Sequence, residues 1–247
     1  MNILITGYKG FIGRNLIETL ERTNHNDTLL LFDRNNSDDE LKEMCAKCNI
    51  VFHLAAIVRP KDPSDYCLNT NLTMKVLKYL VEQNNFCPIM FASSIQAILN
   101  NSYAECKRSE EKLIFDYGRF YNAKTYVFRF PNLFGKYSKP NHTSVIATFC
   151  YNTSHDLPIV VNNPSAKIKF AYINNVLDQV INIVFDSSGI KYNHIINIEQ
   201  YITVTLGELV YYMGMLKNHE FPEIHRNNNF YEQLEIVYDW FANQTIN

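Results

Sequence analysis

The sequence predicts an α/β fold: a doubly wound parallel sheet followed by a small C-terminal lobe. Three observations carry this. Near-continuous apolar runs alternate with amphipathic helical stretches, as expected of strands buried on both faces between covering helices. A glycine-spaced turn joins the first of those runs to the first helix. After about residue 131 the alternation loosens, which marks a core of about 1–131 and a lobe of about 132–247 with returning core elements, all within one domain.

In chain order, residues 2–6 form a short β-branched strand. Phe11, Ile12, Leu16, Ile17 and Leu20 then recur at helical spacing. Strands are predicted at Leu29–Phe32 and Ile50–Leu54, the end of a long helix at Val76–Val81, and a strand at Pro88–Ala92. A helix over 102–121 and a strand over Thr125–Arg129 complete the alternating part, and right-handed crossovers make it doubly wound and Rossmann-like. Residues 135–144, rich in Pro, Asn, Ser and Lys, read as a loop. Helices follow at 144–153 and 175–186, and strands at Ile168–Ile173 and His194–Ile198. Thr205 and Glu208 form a capping box that opens a helix through about 217. A last helix spans 229–242, where Phe230, Tyr231, Tyr238, Trp240 and Phe241 read as lobe core.

With 247 residues, 47% of them hydrophobic, the chain has material for a substantial core. The formal net charge of −2 and the absence of a basic run argue against nucleic acid or an anionic membrane as partner. No stretch of 18 apolar residues and no signal-peptide pattern are found, so a cytoplasmic location is expected. Six cysteines in such a chain read as free thiols. Cys45 and Cys48 form a CxxC without a second ligand pair, so no metal is expected.

The turn Gly7-Tyr8-Lys9-Gly10-Phe11-Ile12-Gly13 lies between a strand and a helix, the context in which such glycines bind a dinucleotide. Gly7 permits the bend, Gly10 lets backbone approach a pyrophosphate, and Gly13 lets helix pack on strand. The N–H groups of the helix start face the phosphates. The second strand ends at Asp33-Arg34. An acid there holds the ribose hydroxyls of NAD, whereas an arginine accommodates the 2′-phosphate of NADP. With both present, NADPH and NADH stay open.

Tyr103 and Lys107 are four apart on a predicted helix and so share a face. A tyrosine is a poor acid–base group near neutrality, and an adjacent ammonium favours its phenolate and lowers its pKa. Ser94, just past the strand at 88–92, sits at the sheet edge where ligands bind and can orient a carbonyl. Serine, tyrosine and lysine in this order behind a glycine turn predict hydride transfer to a carbonyl or from an alcohol. His53 reads as a packed histidine.

On these marks, with His53-Leu54-Ala55-Ala56 and Arg129-Phe130-Pro131-Asn132-Leu133-Phe134-Gly135, the chain resembles the extended short-chain dehydrogenase/reductases, which mostly act on nucleotide-activated sugars. Longer runs resemble the CapF-type capsular-polysaccharide reductases: Ser93-Ser94-Ile95-Gln96-Ala97, Arg59-Pro60, Pro131 to Lys136, Lys139-Pro140-Asn141 with Ser144-Val145, and Val204 to Glu208. The nine-residue step from Ser94 to Tyr103 matches that pattern.

The resemblance implies reduction by NADPH of the 4-keto group of a UDP-linked 2-acetamido-2,6-dideoxy-hexosulose. It implies cofactor contacts from Gly7, Lys9, Gly10, Phe11, Ile12, Gly13, Asp33, Arg34, Leu54, Ala55, Ala56, Arg59, Tyr103, Lys107 and Pro131. Substrate contacts would come from Ser94, Gln96, Asn132, Asn141, Ser144 and Val145. A homodimer through the helices bearing Tyr79/Leu80 and Phe115/Tyr117 is implied as well. That family also carries a metal-binding cupin domain that epimerises C3. This sequence has no cupin-like cluster of His and Glu, so C3 epimerisation is not expected of it. Two other readings compete: a nucleotide-sugar epimerase or dehydratase with tightly bound NAD, which Ile95-Gln96 after Ser94 disfavours for the dehydratase, and a non-catalytic dinucleotide-sensing protein, which the retained Tyr103 and Lys107 disfavour.

Overall fold

A computed structural model describes residues 1–23, 27–185, 193–220 and 228–244. Its chain falls into two compact units, one of Met1–Phe130 with Leu177–Ile198, the other of Pro131–Val176 with Glu199–Asn247.

The first unit is a doubly wound Rossmann-like sheet. Strands β1 (Asn2–Thr6), β2 (Thr28–Phe32), β3 (Ile50–His53), β4 (Ile89–Ser94), β5 (Thr125–Phe130) and β8 (His194–Asn197) lie in the order β2-β1-β3-β4-β5-β8. Every pairing in it is parallel. Strand order reverses beside β1, with β2 on one side and β3 on the other, and such a switch point leaves a crevice at the carboxyl ends of the strands.

Helices α1 (Phe11–Arg22), α2 (Asp38–Lys47), α3 (Cys67–Glu82) and α4 (Ser102–Tyr121) connect the strands. Alternate residues of the strands feed opposite faces. Leu4, Val51, Ile89, Phe91 and Val127 pack with Leu41 and Cys45 of α2, Val76, Leu77 and Leu80 of α3, and Ile114 and Tyr117 of α4. On α6 (Ile173–Phe185), Phe185 packs its ring 6.0 Å from Phe52, and Asp178 pairs with Arg22 of α1 at 2.5 Å. Since both faces are covered, β3 and β5 are buried almost throughout.

The second unit has its own sheet, in which β7 (Lys167–Tyr172) pairs parallel with β6 (Asn132–Phe134) and antiparallel with β9 (Ile202–Thr205). Helices α5 (Val145–Ser154), α7 (Leu206–Asn218) and α8 (Asn228–Ala242) complete it. The capping box at Thr205 and Glu208 opens α7. The aromatic residues of α8 form the core expected of them: Phe230, Tyr231, Tyr238 and Phe241 are buried with Phe134, Phe149 and Tyr172, and Trp240 packs against the cluster.

The structure departs from the sequence reading in three unpredicted elements and at two element boundaries. Helix α2 and the short strands β6 and β9 were not predicted. Ser94 is the last residue of β4 rather than a residue beyond it. Ile173 opens α6 rather than closing β7. On the helices expected at a dimer contact, Leu80 and Tyr117 belong to the core of the first unit, while Tyr79 and Phe115 are only partly buried. No described helix is long and apolar enough to cross a membrane.

Candidate functional site

Of the predicted residues, those of the first unit gather at the carboxyl edge of its sheet. β1 ends at Thr6, and Gly7 turns the chain with φ +72, a left-handed conformation open to glycine at little cost. A Cβ on Gly7 would lie 2.6 Å from the Cα of Ala55, so the glycine turn and the 54–56 segment after β3 touch directly. A Cβ on Gly13 would lie 2.6 Å from the carbonyl oxygen of Gly7 and from the Cα of Tyr8. At Gly10 a Cβ would meet only the Gly7 carbonyl, at 3.1 Å, and otherwise open space. Two of the three glycines therefore close the turn, and the third leaves its outer side clear.

Gly10 is the N-cap of α1 and gives it no side-chain cap, and the first turn of that helix holds no acidic residue. The helix start thus presents backbone N–H groups and the positive end of its dipole without a competing anion. These features fit a dinucleotide pyrophosphate. Lys9 and Asp33 form an ion pair at 2.5 Å across the turn. The hydrogen bond from Lys9, with the nearby charges of Lys9 and Arg34, holds the Asp33 carboxyl below its usual range. Leu54 is buried, Ala55 half-buried, and Ala56, Arg34 and Arg59 are exposed.

Ser94, Tyr103 and Lys107 come together at the ends of β4 and the start of α4. The Ser94 hydroxyl faces the Tyr103 phenol and helps to hold its pKa down. Its Oγ also accepts the Gln96 N–H at 3.1 Å, which begins the 3-10 turn over Ile95–Ile98. Gln96 itself is exposed. Asn101 caps α4 by accepting the Ala104 N–H at 2.9 Å and so fixes the helix start that carries Tyr103. The Tyr103 ring lies 5.7 Å from that of Tyr66.

Lys107 is only 2% exposed. Its Nζ donates to the Ala92 carbonyl at 3.2 Å, pairs with Glu110 at 3.1 Å and stands 4.7 Å over the Phe91 ring. The ammonium acts on Tyr103 in the expected sense but does not prevail. Desolvation pushes the phenol above its ordinary value, while Lys107 and Ser94 pull it down and Glu110 pushes it up. Lys107 thus lowers the phenol as expected, while burial is the larger influence and leaves Tyr103 above its ordinary value.

The sequence reading missed the polar chain behind Lys107. Glu110 Oε1 accepts from Thr73 Oγ1 at 2.8 Å. Thr73 Oγ1 also meets His53 Nε2 at 2.9 Å, and His53 Nδ1 meets Thr6 Oγ1 at 2.8 Å. Thr6 Oγ1 in turn accepts the N–H groups of Leu54 and Ala55, each at 3.2 Å. His53 is a packed residue, and burial pushes it down to about 4, with Glu110 raising and Lys107 lowering it. The signal available in sequence was Glu110, three residues beyond Lys107 on the same helix face.

In the second unit, Asn132 is exposed and its amide donates to the Lys169 carbonyl at 3.0 Å, a bond that joins β6 to β7. The Asn141 N–H donates to Thr148 Oγ1 at 2.9 Å, with φ 54 at Asn141. Ser144 is the N-cap of α5 and accepts the Ala147 N–H at 3.2 Å, and Val145 is the first residue of that helix. Pro131 is buried. All six cysteines are free thiols. Cys48 Sγ lies 3.7 Å from Cys87 Sγ, and no group of three metal-ligating side chains occurs among the described residues.

A doubly wound sheet with a glycine turn at its switch point and a Ser-Tyr-Lys cluster beside it defines a dinucleotide-dependent short-chain dehydrogenase/reductase type of protein. The chain belongs to the NAD dependent epimerase/dehydratase family, whose model matches residues 3–198. The family is NAD(P)-dependent. The chain is 33% identical to the UDP-2-acetamido-2,6-beta-L-arabino-hexul-4-ose reductase of Pseudomonas aeruginosa over 88% of its own length and 58% of that protein's. Its structure resembles the capsular polysaccharide assembling protein CapF of Staphylococcus aureus with a TM-score of 0.84 and 30% identity, covering 98% of this chain and 65% of that one. It thus spans about three-fifths of the length of these two relatives. The UDP-N-acetylglucosamine 4-epimerase of Bacillus cereus shares the fold, with a TM-score of 0.82 at 19% identity over 100% of this chain and 98% of that one.

Proposed function

We propose that the protein is a reductase of the 4-keto group of a UDP-linked 2-acetamido-2,6-dideoxy-hexosulose, working in deoxyamino-sugar nucleotide biosynthesis. The observation that carries this reading is the gathering of Ser94 at the end of β4, Tyr103 and the buried Lys107 of α4 at the carboxyl edge of the sheet. Reduction of a ketone needs a proton donor at the oxygen, and a phenol held above its ordinary pKa is one. The name of the Pseudomonas relative supplies the substrate class.

Bound reduced nicotinamide would supply the hydride, two electrons and one hydrogen, to the C4 carbon of the sugar. Ser94 orients the ketone oxygen by a hydrogen bond. Tyr103 gives its phenolic proton to that oxygen as the C–O π bond is reduced to an alcohol, and takes another from solvent afterwards. Lys107 favours the transient phenolate. On the resemblance alone, Gln96, Asn132, Asn141, Ser144 and Val145 are proposed as substrate contacts, and Arg59 and Pro131 as cofactor contacts.

NADPH is the proposed cofactor, with NADH as the second. The Lys9–Asp33 pair supports it. An acid at this position repels a 2′-phosphate, but here its charge is offset by Lys9 at 2.5 Å and by Arg34 beside it. A cytoplasmic location and a homodimer that leaves Leu80 and Tyr117 inside each copy complete the proposal.

The test is oxidation of NADPH and NADH in the presence of the 4,6-dehydratase product of UDP-N-acetylglucosamine, with the product identified by NMR. The reading predicts stoichiometric cofactor oxidation and a new C4 hydroxyl. Interconversion of sugars with copurifying NAD and no net oxidation would instead identify an epimerase.

A further inference from the structure

Glu110 is fully buried, 0% exposed, and sits on the inner side of α4 with Lys107, three residues before it. Its two oxygens are both engaged. Oε1 accepts from Thr73 at 2.8 Å, and Oε2 takes the Lys107 ammonium at 3.1 Å and the Cys106 thiol at 3.6 Å. A carboxylate this deep is costly unless every lone pair finds a partner, and here the partners converge from two helices. Thr73 hands the chain on to His53 and Thr6, whose hydroxyl holds the backbone of Leu54 and Ala55. One line of hydrogen bonds therefore joins the cofactor turn to the lysine beside Tyr103.

We propose that Glu110 is a positioning residue: it is the built-in counter-ion that fixes the Lys107 ammonium and offsets its charge, so that Tyr103 is kept as a proton donor and the site is biased toward reduction. The bias rests on the reductase reading, whereas the effect of Glu110 on Tyr103 does not. An uncompensated ammonium next to a phenol favours the phenolate, and a carboxylate on the far side of that ammonium opposes this.

Among the described residues, titratable groups reach this pair from three elements. Tyr66 comes from the 3-10 turn before α3 and His53 from β3, while Cys106 and Tyr103 share α4. His53 is neutral well above pH 4 and does not change charge over the measured range. Burial raises the Cys106 thiol above its ordinary value, and the comparison is repeated in a Cys106→Ser background to remove it.

The measurement is the ionisation of Tyr103 in the cofactor-free full chain, followed by NMR of tyrosines labelled at Cζ, with the Tyr103 signal assigned by its loss in Tyr103→Phe. In Glu110→Gln, Tyr103 is expected to ionise at least about one pH unit lower than in the wild type. If Glu110→Gln does not fold, Lys107→Met is compared with Lys107→Met/Glu110→Gln, since replacing both members of a buried pair is tolerated better than removing one. Tyr103 should then ionise at lower pH in the double variant. An unchanged or raised ionisation in both comparisons overturns the proposal. Because no substrate is present, this result is independent of the reductase reading. Where that reading also holds, the alkaline limb of the reduction rate moves to lower pH by the same amount, and a limb that stays put while Tyr103 shifts would separate the two.

Discussion

Arg129 of β5 and Glu111 of α4 meet side by side, Nε to Oε1 at 2.8 Å and Nη2 to Oε2 at 2.7 Å. Glu111 Oε1 also accepts from Ser93 at 2.5 Å, and Ser93 is the cross-strand neighbour of Arg129. One carboxylate therefore pins α4 to the ends of both β4 and β5, and so fixes the helix carrying Tyr103 against the strand carrying Ser94. Bidentate geometry makes this pair stronger than an ordinary surface bridge. Glu111→Gln is expected to cost roughly 3 kcal/mol, because it strands a mostly buried guanidinium. Glu111→Gln with Arg129→Met should recover part of that loss. Urea denaturation of the three proteins checks this, and equal stability of the single variant and the wild type would show that the clamp is not holding α4.

The three glycines of the turn separate into two kinds. Gly13→Ala forces a Cβ to 2.6 Å from backbone, so both stability and cofactor affinity should fall, stability by roughly 1–3 kcal/mol. Gly10→Ala meets one oxygen at 3.1 Å, so folding should be close to wild type while cofactor affinity drops about tenfold or more. Thermal melts paired with cofactor titration distinguish the two. Unchanged cofactor binding in Gly10→Ala would place the pyrophosphate elsewhere.

Tyr103→Phe removes the proposed proton donor and leaves the ring packed beside Tyr66. Turnover should fall about 10²–10⁴-fold, the range for loss of a general acid, with little change in cofactor affinity. Ser94→Ala should reduce turnover less, because the phenol remains. Full activity in Tyr103→Phe would rule out the proposed proton route.

The first unit was legible in the sequence because its signals are local. Each buried strand announces itself as an apolar run, and Gly7 to Gly13 states its own geometry. The elements that escaped are those whose reason lies elsewhere in the chain. β6 has three residues, too few to show a period, and exists because β7 offers it a partner more than thirty residues away. Helix α2 is mostly charged, and its evidence was the capping box of Ser37 and Glu40, which periodicity alone does not register. In the site, Ser94, Tyr103 and Lys107 were readable from spacing, whereas the chain Thr6–His53–Thr73–Glu110 runs through four elements and no spacing reports it. The net direction at Tyr103 follows the same division: the lysine that lowers it is visible in sequence, and the depth of burial that outweighs the lysine is not.

Under the proposed cofactor reading, Lys9 and Asp33 pull the preference in opposite directions. Asp33→Asn removes the negative charge and leaves Lys9 and Arg34, so the preference for NADPH over NADH should rise by about tenfold or more. Lys9→Met frees the Asp33 carboxylate from its partner at 2.5 Å and should move the preference toward NADH. Kd values for both cofactors by titration check this. If the ratio is the same in both variants, the ribose does not lie over this pair.

His53 makes the fold sensitive to mild acid. Its ring is 1% exposed, hydrogen-bonded at both nitrogens to Thr6 and Thr73, and held down to about 4 by burial, against 6.5 in an unfolded chain. Below pH 6.5 the unfolded chain takes up a proton that the folded one refuses, so the contribution is complete above that pH. It is lost as pH falls toward 4, where it amounts to roughly 3 kcal/mol. His53→Gln removes the titration. The variant should be less stable than the wild type at pH 7, because two buried hydroxyls lose their partner, yet its stability should fall less steeply between pH 6.5 and 4.5. Urea midpoints at the two pH values test the slope, and parallel decline of both proteins would show that His53 takes its proton without unfolding the site.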